Sequence, residues 1–196
     1  MKPVDQAAQI DNMVASGCAG IIISAWDAES LSTNVDNAAA MDIPVLCYDM
    51  LISNTENVDY YVTDNLYDCG KLQGEYVISA LGLDAGETGP FNIEIFSGDP
   101  ADSNAPYFYN GAYDALKPYI DDGSLVVQSG QVDRNVTATE GWKGLEAQER
   151  MDTILSANYA DKRVDAVLCN NDALALGVLA SLENAGYGTE ELPYPV

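Results

Sequence analysis

Short runs rich in β-branched residues alternate with helix-patterned segments along the whole chain, and this alternation limits the fold more than any other feature. Residues 4–16 carry Val4, Ala7, Ile10, Met13 and Val14 at helical spacing, with Gly17 as a C-terminal cap. The run Gly20-Ile21-Ile22-Ile23-Ser24 reads as a buried strand, and a second helix begins near Ser30, carries Leu31, Val35, Ala38 and Ala39, and stops before Pro44. Residues 44–48 and 59–63 are the next strands. In the second half, a helix near 66–81 presents Leu72, Tyr76, Val77 and Leu81, and the strand 92–96 leads to a helix near 104–117 closed by Pro118. Residues 125–127 precede a helix over 140–157 bearing Trp142, Met151 and Ile154. The strand 164–168 precedes a helix over 172–185, with Asp172 as its N-cap and Gly186 past its end. Strands alternating with helices of these lengths build βαβ units around parallel sheets, so the fold class is α/β.

Composition narrows the function. The chain has 196 residues, and 47% are hydrophobic, enough for a packed core despite 31 acidic against 8 basic residues and a net charge of −23. That charge repels phosphate backbones and anionic membranes, so no nucleic-acid partner is expected. There is no histidine, which removes the commonest general base and transition-metal ligand and every Ser-His or Cys-His pair. No Walker-type sequence occurs, and the Gly-rich stretch 82–90 follows a helix rather than a strand, unlike a dinucleotide fingerprint. Cys18, Cys47, Cys69 and Cys169 show no C-x-x-C spacing and read as small hydrophobes. No metal, cofactor or enzymatic activity is expected. No apolar stretch approaches the ~18 residues of a transmembrane helix, and no signal peptide is visible.

The polar residues that follow each strand carry more information. In open parallel sheets, ligands bind beyond the carboxyl ends of the strands. Those positions read Ala25-Trp26-Asp27, Tyr48-Asp49-Met50, Asp64-Asn65, Gly98-Asp99 with Asp102-Ser103-Asn104, Gly130-Gln131, and Asn170-Asn171-Asp172. Asp and Asn favour turns and helix caps on their own account. Their succession, interleaved with Trp and Tyr, points to a polyhydroxylated ligand. Carboxylates and amides can each serve neighbouring hydroxyls, and an aromatic face covers the C–H face of a sugar ring. Trp142 and Trp26 are the candidates for that face, although the spacing of Trp142 also fits core packing.

These residues resemble the sugar-binding proteins of bacterial ABC importers, with the type-1 periplasmic binding fold, and among them the xylose-binding and multiple-sugar-binding members. The resemblance is carried by Pro44-Val45-Leu46-Cys47-Tyr48-Asp49, by Tyr61-Val62-Thr63-Asp64-Asn65 with Gly70 and Gln73-Gly74, and by Asp102-Ser103-Asn104-Ala105. Residues 111–120, Gly141-Trp142, Ala147-Gln148, Arg150-Met151 and residues 162–167 leading to Asn171-Asp172 extend it over nearly the whole chain. It implies that Asp102 and Asn104 bond sugar hydroxyls, that Trp142 walls the ring, that Asn171 and Asp172 reach the ligand or its neighbours, and that Asp49 faces the cleft from the opposite domain. Asp27 and Met50 are secondary candidates. The family usually has Arg where Met50 stands, so an anchoring guanidinium is replaced by an apolar contact.

The resemblance also implies two parallel-sheet domains, residues 1–63 as part of an N-terminal one and 64–196 as a C-terminal one lacking its last elements, with the hinge at Thr63 and Asp64. The chain is then similar to the middle of such a protein and is expected to bind sugar weakly alone. The implied function is a solute receptor that closes around a pentose or hexose and is recognised by a membrane permease. Its location would be periplasmic or extracellular, in the latter case membrane-anchored as a lipoprotein. The alternative is the effector domain of a sugar-responsive LacI-type transcription repressor, and a sensor subunit is a third reading.

Overall fold

A computed structural model of the protein describes residues 3–196. Two compact units emerge, one of residues 1–65 with 101–104, the other of residues 66–100 with 105–196. The expected division lay at 63/64. The short segment 101–104 groups with the first unit instead, because Asn104 bonds Asp49 there.

The first unit holds the parallel strands β1 (Ile21–Ile23), β2 (Val45–Tyr48) and β3 (Tyr60–Val62), in that order, with helices α1 (Pro3–Ala15) and α2 (Ser32–Ala39). Its core gathers Ile10, Ile21, Ile23, Leu31, Val35, Val45, Cys47 and Ile52. β1 departs from the expected buried strand: Ile21 and Ile23 turn inward, but Ile22 is 74% exposed. The pleat sends successive side chains to opposite faces, and only one face of β1 is covered. Asn34 on α2 donates to Asp11 Oδ1 at 2.7 Å and so ties α2 to α1.

In the second unit, β4 (Phe91–Phe96) is the central strand, flanked in parallel by β5 (Leu125–Val127) and β6 (Ala166–Cys169). Helices α3 (Leu66–Ala80) and α4 (Ala105–Asp121) supply Val77, Ile78, Ala112 and Leu116 to a core shared with Ile93 and Ile95. Helices α6 (Gly144–Asn158) and α7 (Asp172–Asn184) supply Met151, Ile154, Leu174 and Val178 to a second core with Phe96. Alternate residues of β4 therefore serve opposite helix layers. Each fully buried side chain such as Phe96 or Leu116 contributes about 1.5–3 kcal/mol. A short helix, α5 (Arg134–Thr137), lies between β5 and α6 and was not foreseen from the sequence.

The α3–α4 contact is backbone to backbone. A Cβ on Gly70 would lie 2.1 Å from the Phe108 carbonyl oxygen, and one on Gly111 2.0 Å from that of Tyr67. Pro118 does not close α4, which runs on to Asp121. Tyr119 and Ile120 pack against the core, and Lys117 pairs with Asp121 at 2.6 Å, so tertiary contacts carry the helix one turn past the proline.

Candidate functional site: the carboxyl edges of the two sheets

In the second unit, the chain leaving β4 is knitted to the segment after α5. Ser97 N donates to Thr137 O at 2.9 Å, Thr139 N to Gly98 O at 3.3 Å, and Gly141 N to Asp99 Oδ2 at 2.9 Å. Gly141 and Trp142 follow with φ of 64° and 54°, both left-handed. The expected helical position of Trp142 is thereby corrected: two left-handed residues cannot continue a right-handed helix, and α6 starts at Gly144. Trp142 is half-buried and meets Phe108 edge-on, with centroids 6.4 Å apart at 88°. Its six-membered ring lies against Gly98, where a Cβ would come 2.0 Å from Cη2. A glycine is required there for the indole to lie across the strand end.

At the end of β6, Asn170 is buried, accepts Gln73 Nε2 on its carbonyl oxygen at 3.3 Å and donates Nδ2 to Gln73 Oε1 at 2.9 Å. Asn171, not Asp172, is the N-cap of α7: its Oδ1 accepts Leu174 N at 2.9 Å, while Asp172 stands exposed in the first turn. Cys169, just before them, is half-buried against the second core; desolvation pushes its pKa up to about 12 against the pull of Arg150.

In the first unit, Asp49 has φ of 69° and its Oδ1 accepts Asn104 Nδ2 at 3.1 Å. Asp102 Oδ1 accepts Asn104 N at 2.8 Å, so the structure brings Asp49, Asp102 and Asn104 together. The positioning is local, since the Asp49 carbonyl also accepts the Tyr61 hydroxyl at 2.9 Å from β3. Asp27 accepts Ser30 N at 2.7 Å and Glu29 N at 3.0 Å. Partial burial raises its pKa, but these bonds outweigh it and hold the carboxyl below its usual range. Asp27 thus organises its own turn. Trp26 is 61% exposed. Met50 is 9% exposed and packs in the core with Ile23 and Ile52, because an apolar side chain here gains more from the core than from solvent. Thr63 and Asp64 follow β3 and are exposed.

Among the described residues, the buried side-chain polar atoms without a hydrogen-bond partner are Ser103 Oγ, Arg134 Nη1, Thr139 Oγ1 and Asn170 Oδ1. Asn170 directly follows β6, Arg134 and Thr139 lie in and just after α5, and Ser103 lies in the loop between β4 and α4. A buried unpaired polar group costs about 1–3 kcal/mol, so these four atoms are candidates for hydrogen bonds to a bound molecule. Arg134 and Thr139 did not stand out in the sequence, and Asn170 stood out only as one of the polar residues after β6. Arg134 had one usable signal, a scarce cation directly after the β5 turn in a chain of net charge −23. Chemically, the second unit offers a flat indole beside mixed donors and acceptors, an arrangement that matches the C–H face and hydroxyl rim of a sugar. Among the described residues no group of three or more His, Cys, Asp or Glu could hold a metal ion, and no helix is long and apolar enough to cross a membrane.

Comparison with known proteins gives the same direction. A family model described as a periplasmic binding protein domain matches residues 2–194. The chain is 47% identical over 192 residues to the multiple sugar-binding periplasmic protein SbpA of Azospirillum brasilense, covering 98% of this chain and 54% of that protein. It is 46% identical to the multiple sugar-binding periplasmic receptor ChvE of Rhizobium radiobacter, with the same coverage of 98% and 54%. Among solved structures, an ABC transporter solute binding protein from Clostridium phytofermentans with bound β-D-glucose superposes with a TM-score of 0.88 at 47% identity, covering 93% of this chain and 56% of that one. The chain thus spans about half the length of the curated relatives it matches. With a match over residues 2–194 that takes in every strand end described above, the chain belongs to the periplasmic binding protein domain family.

Proposed function

We propose that this chain is part of the substrate-binding component of a carbohydrate ABC importer and takes up a monosaccharide, a pentose or hexose, without catalysing a reaction. The observation that carries the reading is the half-buried Trp142 indole laid across Gly98 at the end of β4 in the second unit, with Asp99 and the buried Thr139 in the segment that holds it there. The glucose-bound relative in the solved structures and the two multiple-sugar-binding relatives support it.

The proposed roles follow from what each side chain is already committed to. Asn171 Oδ1 caps α7, so its Nδ2 is the atom proposed to donate to a hydroxyl. Asp49 uses Oδ1 on Asn104, and its Oδ2 is proposed as a hydroxyl acceptor, with Asn104 Oδ1 beside it; Asp102, whose Oδ1 accepts Asn104 N, is proposed as a further ligand carboxylate. Bonds to ionised carboxylates are short and strong, which suits acidic residues to a neutral polyol. Trp142 would cover one face of the ring, and Asp172, Arg134, Thr139 and Asn170 would complete the polar rim of the second unit. A sugar lacking one hydroxyl would leave a buried group unpaired, and selectivity arises there. Thr63 and Asp64, at the crossover between residues 1–63 and 64–196, are the proposed hinge.

SbpA and ChvE are named as periplasmic, and the same compartment, or an anchored position outside the cell, is proposed here together with a membrane permease as partner. None of them is a transcription repressor. The test is a thermal-shift panel of pentoses and hexoses on the protein in its full natural length. The reading expects stabilisation by at least one of them, since a ligand at 100 times its Kd adds about 2.7 kcal/mol. A flat panel contradicts it.

A further inference from the structure

Beneath the carboxyl edge of the second sheet, two oppositely charged side chains hold the turn after β5. Glu94, fully buried on β4, accepts Ser129 N at 3.0 Å, the Ser129 hydroxyl, and the Tyr159 hydroxyl at 2.9 Å. Arg150 on α6 donates Nε to Gln131 Oε1 at 2.7 Å, Nη2 to Ile95 O at 2.9 Å and Nη1 to Thr137 O at 3.3 Å. Its Cζ lies 4.1 Å from the centroid of the Phe96 ring. Gln131 N donates to Ser129 Oγ at 3.1 Å, so carboxylate and guanidinium grip the same turn from two sides.

The three acceptors of Arg150 belong to the end of β4, the β5 turn and the last residue of α5. From there the chain passes through Thr139 and Gly141 to Trp142, and the same Thr137 carbonyl receives Ser97 N. A planar fork can reach three differently placed oxygens at once, and an ammonium cannot reproduce that geometry. Burial lowers the guanidinium pKa to about 10 while the Glu94 charge opposes the shift, so the cation persists at neutral pH. A buried charge is weak evidence for stability, since well-packed apolar groups often replace it without loss.

We infer that Arg150 is a positioning residue for the sugar site: without touching the ligand, its guanidinium fixes the path from the β5 turn to Trp142 and so sets affinity. The inference rests on the monosaccharide reading only for its binding arm.

The test uses the protein in its full natural length with Arg150→Lys, and Leu155→Ala on the same helix as a destabilised control. Hydrogen exchange of residues 129–142 and calorimetric titration with D-glucose are measured well below every melting temperature. Arg150→Lys is expected to speed exchange across 129–142 at least tenfold, to leave α7 unchanged and to weaken D-glucose at least tenfold. Leu155→Ala is expected to keep both within twofold. Unchanged exchange over 129–142 in Arg150→Lys, or equal loosening in Leu155→Ala, overturns the inference. If the unmodified protein binds none of D-glucose, D-xylose and D-galactose, the receptor reading fails and the exchange result alone decides the role of Arg150. Should Arg150→Lys not fold, Gln131→Ala removes only the Nε acceptor and carries the same two readouts, with a threefold loss expected.

Discussion

Gly98→Ala tests the placement of the indole most sharply, because the substitution adds one methyl group at a known distance from it. The new Cβ would stand 2.0, 2.1 and 2.5 Å from three atoms of the Trp142 ring, against 3.4–4 Å for ordinary contact. The ring must therefore retreat by roughly 1.5 Å or turn away. Overpacking of this kind costs about 1–3 kcal/mol of stability. If the indole covers one face of the sugar, losing that contact removes at least about 1.4 kcal/mol of binding, a tenfold rise in Kd. Trp26 is 61% exposed and would add its own emission, so the measurement is made in a Trp26→Phe background. The expected result is a red-shifted Trp142 emission, a lower melting temperature and at least tenfold weaker binding of D-glucose by calorimetry. Unchanged emission together with unchanged affinity would refute the claim that Trp142 is held across the strand end as a binding surface.

Other substitutions probe neighbouring parts of the account. Trp142→Ala is expected to abolish the ligand response with far-UV circular dichroism intact; normal binding would make the indole core packing alone. Asp99→Ala removes the acceptor of Gly141 N, a charge-assisted bond of about 1.5–3 kcal/mol, and should shift Trp142 emission and weaken sugar binding without altering secondary structure. Gly111→Ala drives a Cβ to 2.0 Å from the Tyr67 carbonyl oxygen, and backbone cannot yield as a side chain can, so urea unfolding should show a loss of about 2–3 kcal/mol. Burial raises Cys169 from 9.0 and Tyr109 from 10.0, each to about 12. The folded state holds these protons where the unfolded chain releases them, so their contribution is complete below about pH 9 and is lost as pH rises toward 12. Urea midpoints should fall across that window, and Cys169 should resist alkylation at pH 8 until the protein unfolds.

The α/β class was legible because it depends on patterning within single segments. The run Gly20 to Ser24, the break at Pro44 and the helical spacing of Val77 or Ile154 each report a local periodicity. What the chain did not disclose depends on contacts between distant segments. Nothing local says that Tyr119 and Ile120 will carry α4 past Pro118. Nor does local sequence show that Asp99 will hold Gly141 left-handed and end the helix expected over Trp142. Asn171 and Asp172 are both good capping residues, and only the helix path chose between them. The site was half-visible for the same reason. Polar residues after strands stand out in sequence, so Asp49, Asp102 and Asn104 were named, and they are found together. Arg134 and Thr139 gain their interest from a burial that sequence does not encode locally, and the packing of Met50 into the core is likewise not encoded there.

The central claim is that the polar atoms and the indole at the strand ends bind a monosaccharide. Calorimetric titration of D-glucose, D-xylose and D-galactose into the protein in its full natural length, beside its Trp142→Ala variant, addresses it most directly. The account predicts saturable binding of at least one of these sugars at a single site, lost in the variant. Absence of binding by all three, or equal binding by the variant, would contradict it.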